Sequence, residues 1–384
     1  MPSDDASGDT SDDPSGGSTD HAGSRVSTPA LRVLMVGTAL EGRGGVAAVV
    51  SVLRRHGLFE REAVRYVATH AEGPRLAKAR GAVQGFWHTL RACLGQHPAV
   101  VHVHAASHAS FLRKSIVLLI ARLAGSKTIF HLHGGGFREF ATRESGPLMR
   151  RWIRHTLEHS SVVITLSEGW ADFVNDFAPR AKVAVVPNSV ALPPLAEGGQ
   201  EQPGRILFLG RLEAAKGVYE LLAAAAMLAP AFPALRLVFG GEGEREALRR
   251  RADELGIGAR VEFLGWVGQQ QRDAELARAS IFCLPSHAEG LPMSMLEAMA
   301  ACRAVVASSV GGIPETLRDG DNGLLVPPRD AHALAAALAA LLGDAALRER
   351  LALCARASIE QHYSTEVVCG QLSAIYRELA GTQR

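Results

Sequence analysis

The sequence predicts two Rossmann-like, doubly wound α/β domains that face a common cleft. Short apolar runs alternate with helix-length segments from residue 31 onward. Nearly continuous apolar strands separated by helices are typical of parallel sheets that are covered on both faces. A segment rich in Pro, Gly and Glu at residues 192–204 divides the runs into two sets, and we interpret it as a linker between domains. The chain of 384 residues is long enough for two domains of ordinary size.

The predicted strands recur along both halves of the chain. The first half contributes residues 31–37, 100–105, 127–134, 161–167 and 182–189. The second half contributes residues 205–210, 235–241, 261–265, 280–286 and 304–309, and a turn at residues 319–328 leads to one more strand. The chain from residue 345 onward has a helical pattern. Its last helix, at about residues 366–379, is expected to pack across the domain junction because no strand follows it.

The composition argues against several classes of protein. With 41 Lys and Arg against 39 Asp and Glu, the charge is too balanced for a global electrostatic grip on nucleic acid. The five cysteines form no C-x-x-C pair, which indicates thiols in a reducing compartment rather than a disulfide scaffold or a zinc site. Residues 1–28 contain very few apolar side chains, so we predict a disordered tail and no signal peptide. No apolar run approaches the roughly 18 residues of a spanning helix. The expected location is the cytoplasm, or the inner face of the cytoplasmic membrane as a peripheral protein.

Two cations follow the first strand of the second half. In the segment GRLEAAKG, Arg211 and Lys216 lie between Gly210 and Gly217, where a strand ends and a helix begins. Positive side chains beside the free N–H groups of a helix start suit a diphosphate. The segment is not a P-loop, because no glycine directly precedes the lysine and no Ser or Thr follows it. A solvated Arg and Lys in a turn is the alternative interpretation.

Two acids lie on either side of a predicted helix start in the segment HAEGLPMSMLEAM, residues 287–299. Pro292 suits the first turn of a helix, where its missing N–H costs nothing. Glu289 then precedes the helix, and Glu297 lies roughly 8 Å along its axis. Carboxylates accept hydrogen bonds from paired hydroxyls, so one acid could bind a sugar and the other a ribose. The alternative is a helix-start charge and a surface helix residue.

Other turns carry weaker signals. The segment GGEGER, residues 240–245, contains G-x-G, but Glu246 stands where a dinucleotide fingerprint requires Gly or Ala. A tight strand-to-helix turn is therefore favoured over a NAD site. The apolar stretch at residues 263–267 could hold a nucleobase or belong to the core. In VGGIPE, residues 310–315, we interpret Glu315 as a cap of the helix that begins there.

The order of these segments strongly resembles the retaining glycosyltransferases of family four, which have the GT-B fold. The resemblance covers most of residues 205–330 and is sharpest in the E-x7-E element that Glu289 and Glu297 form. It implies that Arg211 and Lys216 hold the donor diphosphate, that Glu289 contacts the donor sugar, and that Glu297 contacts the ribose. The donor-binding set implied in this way comprises Gly44, Gly45, Gly210, Arg211, Lys216, Glu289, Gly290, Leu291 and Glu297.

The first half carries a glycine loop and two pairs of histidines. Gly44 and Gly45 follow the first strand and would open a helix start to the diphosphate or the acceptor, with an ordinary turn as the alternative. The pairs are His102 with His104 and His131 with His133, written in the sequence as VHVHA and HLHGGG. We expect no metal site, because no Asp, Glu or Cys neighbour completes a ligand set. By the resemblance, His133 lies near the reacting sugar and joins Arg211, Lys216 and Glu289 as a candidate catalytic residue.

Basic residues in the first half indicate a place for an anionic acceptor. His108, Arg113 and Lys114 lie on and before one predicted helix and could receive a lipid-linked acceptor. The segment RRWIRH, residues 150–155, adds basic side chains and Trp that suit the cleft or a membrane surface. Solvated helix faces are the alternative for both. Residues 102–140 also resemble transferases of bacterial exopolysaccharide and lipopolysaccharide assembly.

Together these features predict a retaining glycosyltransferase that moves a hexose from a nucleotide diphosphate sugar to a lipid-linked or saccharide acceptor. The resemblance favours GDP-mannose as donor and a polyprenyl-diphosphate-linked glycan as acceptor, without a metal cofactor for the chemistry. The predicted domains are residues 29–195 for the acceptor, residues 196–363 for the nucleotide sugar, and a helix at residues 364–384. A nucleotide-sugar epimerase of GT-B-like fold and a non-catalytic sugar-nucleotide-binding subunit are the alternatives.

Overall fold

A computed structural model describes residues 33–40, 42, 44–69, 75–194 and 200–381 of the chain. The predicted tail at residues 1–28 lies outside the described residues. The strands β1 to β12 are Val33–Gly37, Val64–Ala68, Val100–Ala105, Lys127–Leu132, Val162–Thr165, Val183–Val185, Arg205–Leu209, Arg236–Gly240, Val261–Gly265, Ile281–Leu284, Ala304–Ser308 and Leu324–Val326. The α-helices α1 to α15 are Gly45–Arg55, Leu58–Arg61, Arg75–Gly95, Ala109–Leu123, Phe137–Glu139, Pro147–Glu158, Glu168–Phe177, Val218–Leu228, Arg245–Glu254, Gln269–Arg278, Met293–Ala300, Ile313–Thr316, Ala331–Gly343, Ala345–His362 and Thr365–Gly381. A π-helix at Phe140–Glu144 and two 3₁₀ turns at Ala214–Lys216 and Gly258–Arg260 complete the set.

The strands form two six-stranded sheets. Their orders are β2-β1-β3-β4-β5-β6 and β12-β11-β10-β7-β8-β9, and every pairing is parallel. The prediction of two doubly wound α/β domains is confirmed. The strand order reverses between β1 and β3 in the first sheet and between β7 and β10 in the second. Ligands of such sheets bind beyond the carboxyl ends of the strands at these reversal points.

Strand β2 is absent from the sequence-based prediction. It lies at the edge of the first sheet, paired only with β1 among the described strands. In its sequence VRYVA only Val67 is buried, and the other residues are half-buried or exposed. An edge strand needs little apolar surface, so the continuous apolar run that marks the central strands is missing here.

The C-terminal helix α15 connects the two halves of the molecule. It begins directly after Ser364, which forms a β-bridge with Val190 shortly before the interdomain segment. Its Tyr376, only 2% exposed, lies against His102 of β3, and Arg377 pairs with the buried Glu62 at 3.2 Å. The helix that ends the chain therefore packs on the N-terminal sheet, although it follows the C-terminal one.

A search of the described helices finds no single one that is long and apolar enough to span a membrane. Helices α13 and α14 pass such a test only when they are taken together, and they meet at an angle of 103°.

Candidate active site

The candidate site lies where the strand order of the second sheet reverses. Lys216 follows β7 and Glu289 follows β10, which are neighbours in that sheet. The ammonium nitrogen of Lys216 donates to Oε1 of Glu289 at 2.7 Å, and their side chains are 23% and 12% exposed. Two residues 73 positions apart thus form a partly buried ion pair at the edge where this fold binds ligands.

Gly217 allows Lys216 to reach this edge. Its φ of +68° lies in the left-handed region that favours glycine, and it is the N-cap of α8. A Cβ at this position would also collide with the backbone oxygen of Pro285, just after β10. Helix α8 can therefore begin directly beside the end of β10, which directs its free N–H groups towards the site of the ion pair.

Arg211 lies at the same end of β7 but extends into solvent. Its side chain is 80% exposed, and its Nη2 pairs with Oε2 of Glu213 at 3.2 Å. The two residues predicted to bind the diphosphate therefore differ in position. Lys216 lies in the site, and Arg211 lies at its rim.

Glu297 is the fifth of the eight residues of α11, the helix that follows the Glu289 loop. Its carboxylate pairs with Nη2 of Arg272 at 3.2 Å and is 12% exposed. Burial raises the pKa of Glu297 to about 7, and the positive charge of Arg272 opposes that rise. This carboxyl group can therefore gain or lose a proton near neutral pH.

Loops of the N-terminal domain close over the Glu289 loop. A Cβ at Gly135, after β4, would lie 2.6 Å from the carbonyl carbon of Glu289, and a Cβ at Gly290 would lie 3.0 Å from the oxygen of His133. The buried Asn188 donates to the oxygen of Leu291 at 2.7 Å. These backbone approaches explain why glycines occupy both sides of the contact.

His133 stands at the end of β4, where the sequence predicts it to be near the sugar. Its Nε2 lies 2.8 Å from Nδ1 of His104. Burial lowers the pKa of His133 to about 3, so the ring is neutral at physiological pH. It can exchange hydrogen bonds with a ligand, but it does not bring a positive charge.

The two histidine pairs lie side by side, an arrangement that the sequence alone did not predict. Strands β3 and β4 are neighbours with His104 opposite His131, so all four rings extend from one face of the sheet. His102, His104 and His131 are 2% exposed or less and form a cluster of potential metal ligands. The cluster includes no Asp, Glu or Cys, but each histidine pair supplies neighbours to the other.

The candidate acceptor residues are not brought together. His108 is exposed and its Nε2 pairs with Oε2 of Glu144 at 2.7 Å, while Arg113 is half-buried. Lys114 is completely buried, and its ammonium donates to Oγ1 of Thr69 at 2.5 Å. The prediction that Lys114 is available to an acceptor is therefore wrong.

The glycines of the first loop remain open. Gly44 is the N-cap of α1, and a Cβ at Gly44 or Gly45 would meet nothing within 4 Å. They follow β1, at the point where the strand order of the first sheet reverses. The free N–H groups of this helix start are accessible from the cleft side of the sheet.

Glu315 has a role that the sequence did not indicate. Its carboxylate accepts from the backbone N–H of Glu168 at 2.6 Å and of Gly169 at 2.8 Å. It thus caps α7 of the other domain, and not α12, to which it belongs. The free N–H groups of α7 required a partner, but only the domain arrangement reveals which one.

Comparisons with known proteins agree with this arrangement. The family model "Glycosyltransferase Family 4" matches residues 31–192, and "Glycosyl transferases group 1" matches residues 196–357. The chain is 37% identical over 204 residues to a phosphatidyl-myo-inositol mannosyltransferase of Mycolicibacterium smegmatis, covering 51% of this chain and 52% of the relative. That alignment spans only about half of the relative's length. The enzyme of that name from Mycobacterium leprae is 32% identical over 284 residues, covering 67% of this chain and 75% of the relative.

Solved structures share the fold. Sucrose-phosphate synthase from Thermosynechococcus elongatus superposes with a TM-score of 0.75 at 20% identity, covering 92% of this chain and all of that one. Anabaena HepE, in complex with UDP and glucose, gives a TM-score of 0.71 at 18% identity, covering 90% and 99%. With two family models side by side along the sequence and a relative matched over three quarters of its length, this chain belongs to the glycosyltransferases of family four, with the GT-B fold.

Proposed function

We propose that this glycosyltransferase moves a hexose from a nucleotide diphosphate sugar to an acceptor hydroxyl with retention of anomeric configuration. The observation that carries the proposal is the ion pair of Lys216 with Glu289, at the reversal point of one sheet and beneath a loop of the other domain. A sugar nucleotide placed there would have its diphosphate and its sugar beside groups of suitable charge.

The donor diphosphate would lie against Lys216 and the start of α8. The ammonium group and the backbone N–H groups of that helix favour negative charge, and Arg211 can turn inward from the rim. These positive groups would stabilise the charge that grows on the leaving diphosphate, which is where preorganised electrostatics contribute most. Since Lys216 and Arg211 supply that charge, the proposal includes no metal cofactor for the chemistry.

Glu289 would bind the sugar hydroxyls from the opposite side. In the retaining reaction that the family resemblance implies, the acceptor oxygen bonds to the anomeric carbon on the face from which the phosphate leaves. The acceptor proton passes to that phosphate. The loop after β4, with His133, would exclude water from this face and limit hydrolysis of the donor.

We propose GDP-mannose as the donor, supported by the two mannosyltransferase relatives. The uridine nucleotide and glucose in the HepE structure make UDP-glucose the first competitor to test. Incubation with GDP- and UDP-sugars, with and without a polyprenyl-diphosphate-linked acceptor, should release nucleoside diphosphate and give a product whose anomeric proton, by NMR, keeps the donor configuration. An inverted product would contradict retention. Free isomerised sugar nucleotide would identify an epimerase, and donor binding without turnover a non-catalytic subunit.

Donor binding should depend on pH through Glu297. If its carboxylate accepts hydrogen bonds from the ribose, affinity should be about tenfold weaker one pH unit below the pKa of about 7, and it should level off above. The same raised pKa means that Glu297 stabilises the fold most below its ordinary pKa of 4.5, a contribution that is lost as the pH rises through 7. Calorimetric titration with a donor should show this pH dependence of donor affinity in the wild type and not in Glu297→Gln. If donor affinity depended on pH equally in both proteins, Glu297 would not be a ligand of the ribose.

The N-terminal domain carries an apolar surface suited to a membrane. On α3, Val83, Trp87 and Leu94 are exposed by 60% or more of their surface, and on α4 Leu112, Ile116 and Leu123 are exposed by at least 40%. Each set follows a spacing of four and then seven residues, so it lies on one face of its helix. Exposed apolar patches of this kind mark interaction surfaces.

Exposed basic residues lie on a helix next to α4. Helix α6 packs beside α4 and exposes Arg150, Arg151 and Arg154. We propose that the three helices rest on an anionic membrane surface, where the lipid-linked acceptor would be found. The corresponding proposed location is the inner face of the cytoplasmic membrane.

Removing two apolar side chains from this surface should weaken binding to vesicles of phosphatidylcholine and phosphatidylglycerol. Burial of a large apolar side chain contributes about 1.5–3 kcal/mol, so Trp87→Ser with Leu123→Ser should lower vesicle affinity by at least roughly tenfold, as measured by sedimentation. The matched control replaces Met227 and Leu353, which are 45% and 52% exposed on the C-terminal domain. Equal loss in both double variants would show that the N-terminal surface is not the docking face.

A further inference from the structure

Four histidines, of which His102, His104 and His131 are buried, form a ladder on one face of the first sheet. The ring centroids of His102 and His131 are 5.2 Å apart, those of His104 and His131 5.0 Å, and those of His131 and His133 4.1 Å. The ladder lies behind the candidate active site and beneath α15, where Tyr376 reaches Nδ1 of His102 at 2.6 Å. Of its members, only His133 has a place in the proposed transfer.

Two ring nitrogens of the ladder have no hydrogen-bond partner among the described residues. His104 uses Nδ1 to contact His133 at 2.8 Å, and His131 uses Nδ1 to contact His102 at 3.1 Å. Nε2 of His104 and Nε2 of His131 are buried without a hydrogen-bond partner among the described residues. Because a buried polar atom without a partner is unfavourable, such an atom requires an explanation, and an unseen ion or water is the usual one.

We propose that His102, His104 and His131 bind one late first-row divalent metal ion, for which Zn²⁺ is the probe. One ligand nitrogen from each ring lies within 4.8 Å of the others, and three imidazoles around Zn²⁺ require bonds of about 2.0–2.1 Å. A small inward turn of the rings would achieve this. Nitrogen-only ligands suit Zn²⁺, Cu²⁺ and Ni²⁺, whereas Mg²⁺ and Ca²⁺ prefer oxygen.

The surroundings support this assignment. His104 presents its open Nε2 while its Nδ1 is held by His133, and a second hydrogen bond of this kind orients a metal-bound imidazole. His131 presents its open Nε2 as well. To bind the ion through Nε2, His102 would give up its hydrogen bond with His131. Its Nδ1 would keep the hydrogen bond with Tyr376.

The proposed ion would tie α15 to the N-terminal sheet. It would connect β3 and β4 through His102, His104 and His131, and reach the helix through Tyr376. Its effect would be on stability, because a ligand that binds only the folded state raises the unfolding temperature. It would take no part in the transfer itself.

The test is metal binding by the full chain. Protein stripped with a chelator and dialysed should take up one Zn²⁺ tightly, measured by elemental analysis and competition with a chromophoric chelator. Its Co²⁺ form should show the visible absorption of a four-coordinate site, and Zn²⁺ should raise the unfolding temperature. His131→Gln should lower the affinity by at least roughly 100-fold, since loss of a mere outer partner already costs 10- to 100-fold.

His159→Gln is the matched control. The rings of His155 and His159, at the C-terminal end of α6, are tilted with centroids 3.9 Å apart, and such a surface pair also attracts metal ions. If His159→Gln removes the tight site and His131→Gln does not, the proposal is overturned. It is equally overturned if the wild type binds no Zn²⁺ beyond that surface pair, which would leave water as the partner of the open nitrogens. If His131→Gln fails to fold, His102→Gln and the Co²⁺ spectrum of the wild type decide.

Discussion

Lys216→Ala should lower kcat/KM for the donor by about 100- to 1,000-fold, the usual effect of removing one preorganised charge from a transition state. The ammonium group is held 2.7 Å from the carboxylate of Glu289 in a site that is only 23% exposed on the lysine side. Its loss removes the positive charge that would bind the diphosphate. It also leaves the carboxylate of Glu289 unpaired, and this carboxylate would repel the negatively charged donor. Steady-state kinetics with the accepted sugar nucleotide measures the effect.

Donor binding should fail in the same variant. Wild-type protein should unfold at a higher temperature when its sugar nucleotide is present, and Lys216→Ala should lose that rise. Lys182→Ala is the matched control, because Lys182 is exposed directly before β6, at the end of the first sheet opposite the carboxyl ends of its strands. A full donor-induced rise in Lys216→Ala would show that the diphosphate is bound by other groups.

Glu289→Gln should have the opposite pattern, with kcat reduced by about 100-fold and donor binding retained. The glutamine keeps the shape of the side chain but removes the negative charge that would face the positive charge developing on the sugar. Lys216 is released from its ion pair, so the diphosphate should bind at least as tightly as before. Single-turnover kinetics and calorimetric titration separate the two effects.

Glu254→Gln serves as the control for this charge change. Glu254 is exposed and pairs with Arg251 on α9, so its neutralisation should alter neither kcat nor binding. If Glu289→Gln lost donor affinity while its kcat was preserved, Glu289 would be a binding residue without a part in the transition state.

The sequence was informative wherever local chemistry decides the structure. The continuous apolar runs predicted the central strands, and the cations and acids lie at strand ends that the parallel order brings together. Lys216 and Glu289 could be placed near each other because β7 and β10 flank the reversal of strand order. That reversal is a property of the whole sheet, and the structure is what reveals it.

The burial of Lys114 could have been predicted from the helical spacing of its neighbours. Phe111, Lys114 and Leu118 stand three and then four residues apart, which places them on one face of α4. The structure buries all three. The polarity of a lysine does not override the helical period when a hydroxyl such as that of Thr69 is available to it.

Other features depend on tertiary structure alone. The histidine ladder requires β3 and β4 to be neighbours in a particular register, and the cap from Glu315 to α7 requires the two domains to meet. Neither the spacing of residues along the chain nor their type contains that information.

A crystal structure of the protein with its nucleotide diphosphate sugar tests the account most directly. The account predicts diphosphate oxygens within about 3 Å of Nζ of Lys216, the ribose hydroxyls at Glu297, and the sugar beside Glu289, with the ion pair between Lys216 and Glu289 opened. A nucleotide bound elsewhere on the molecule, with that ion pair intact, would contradict it.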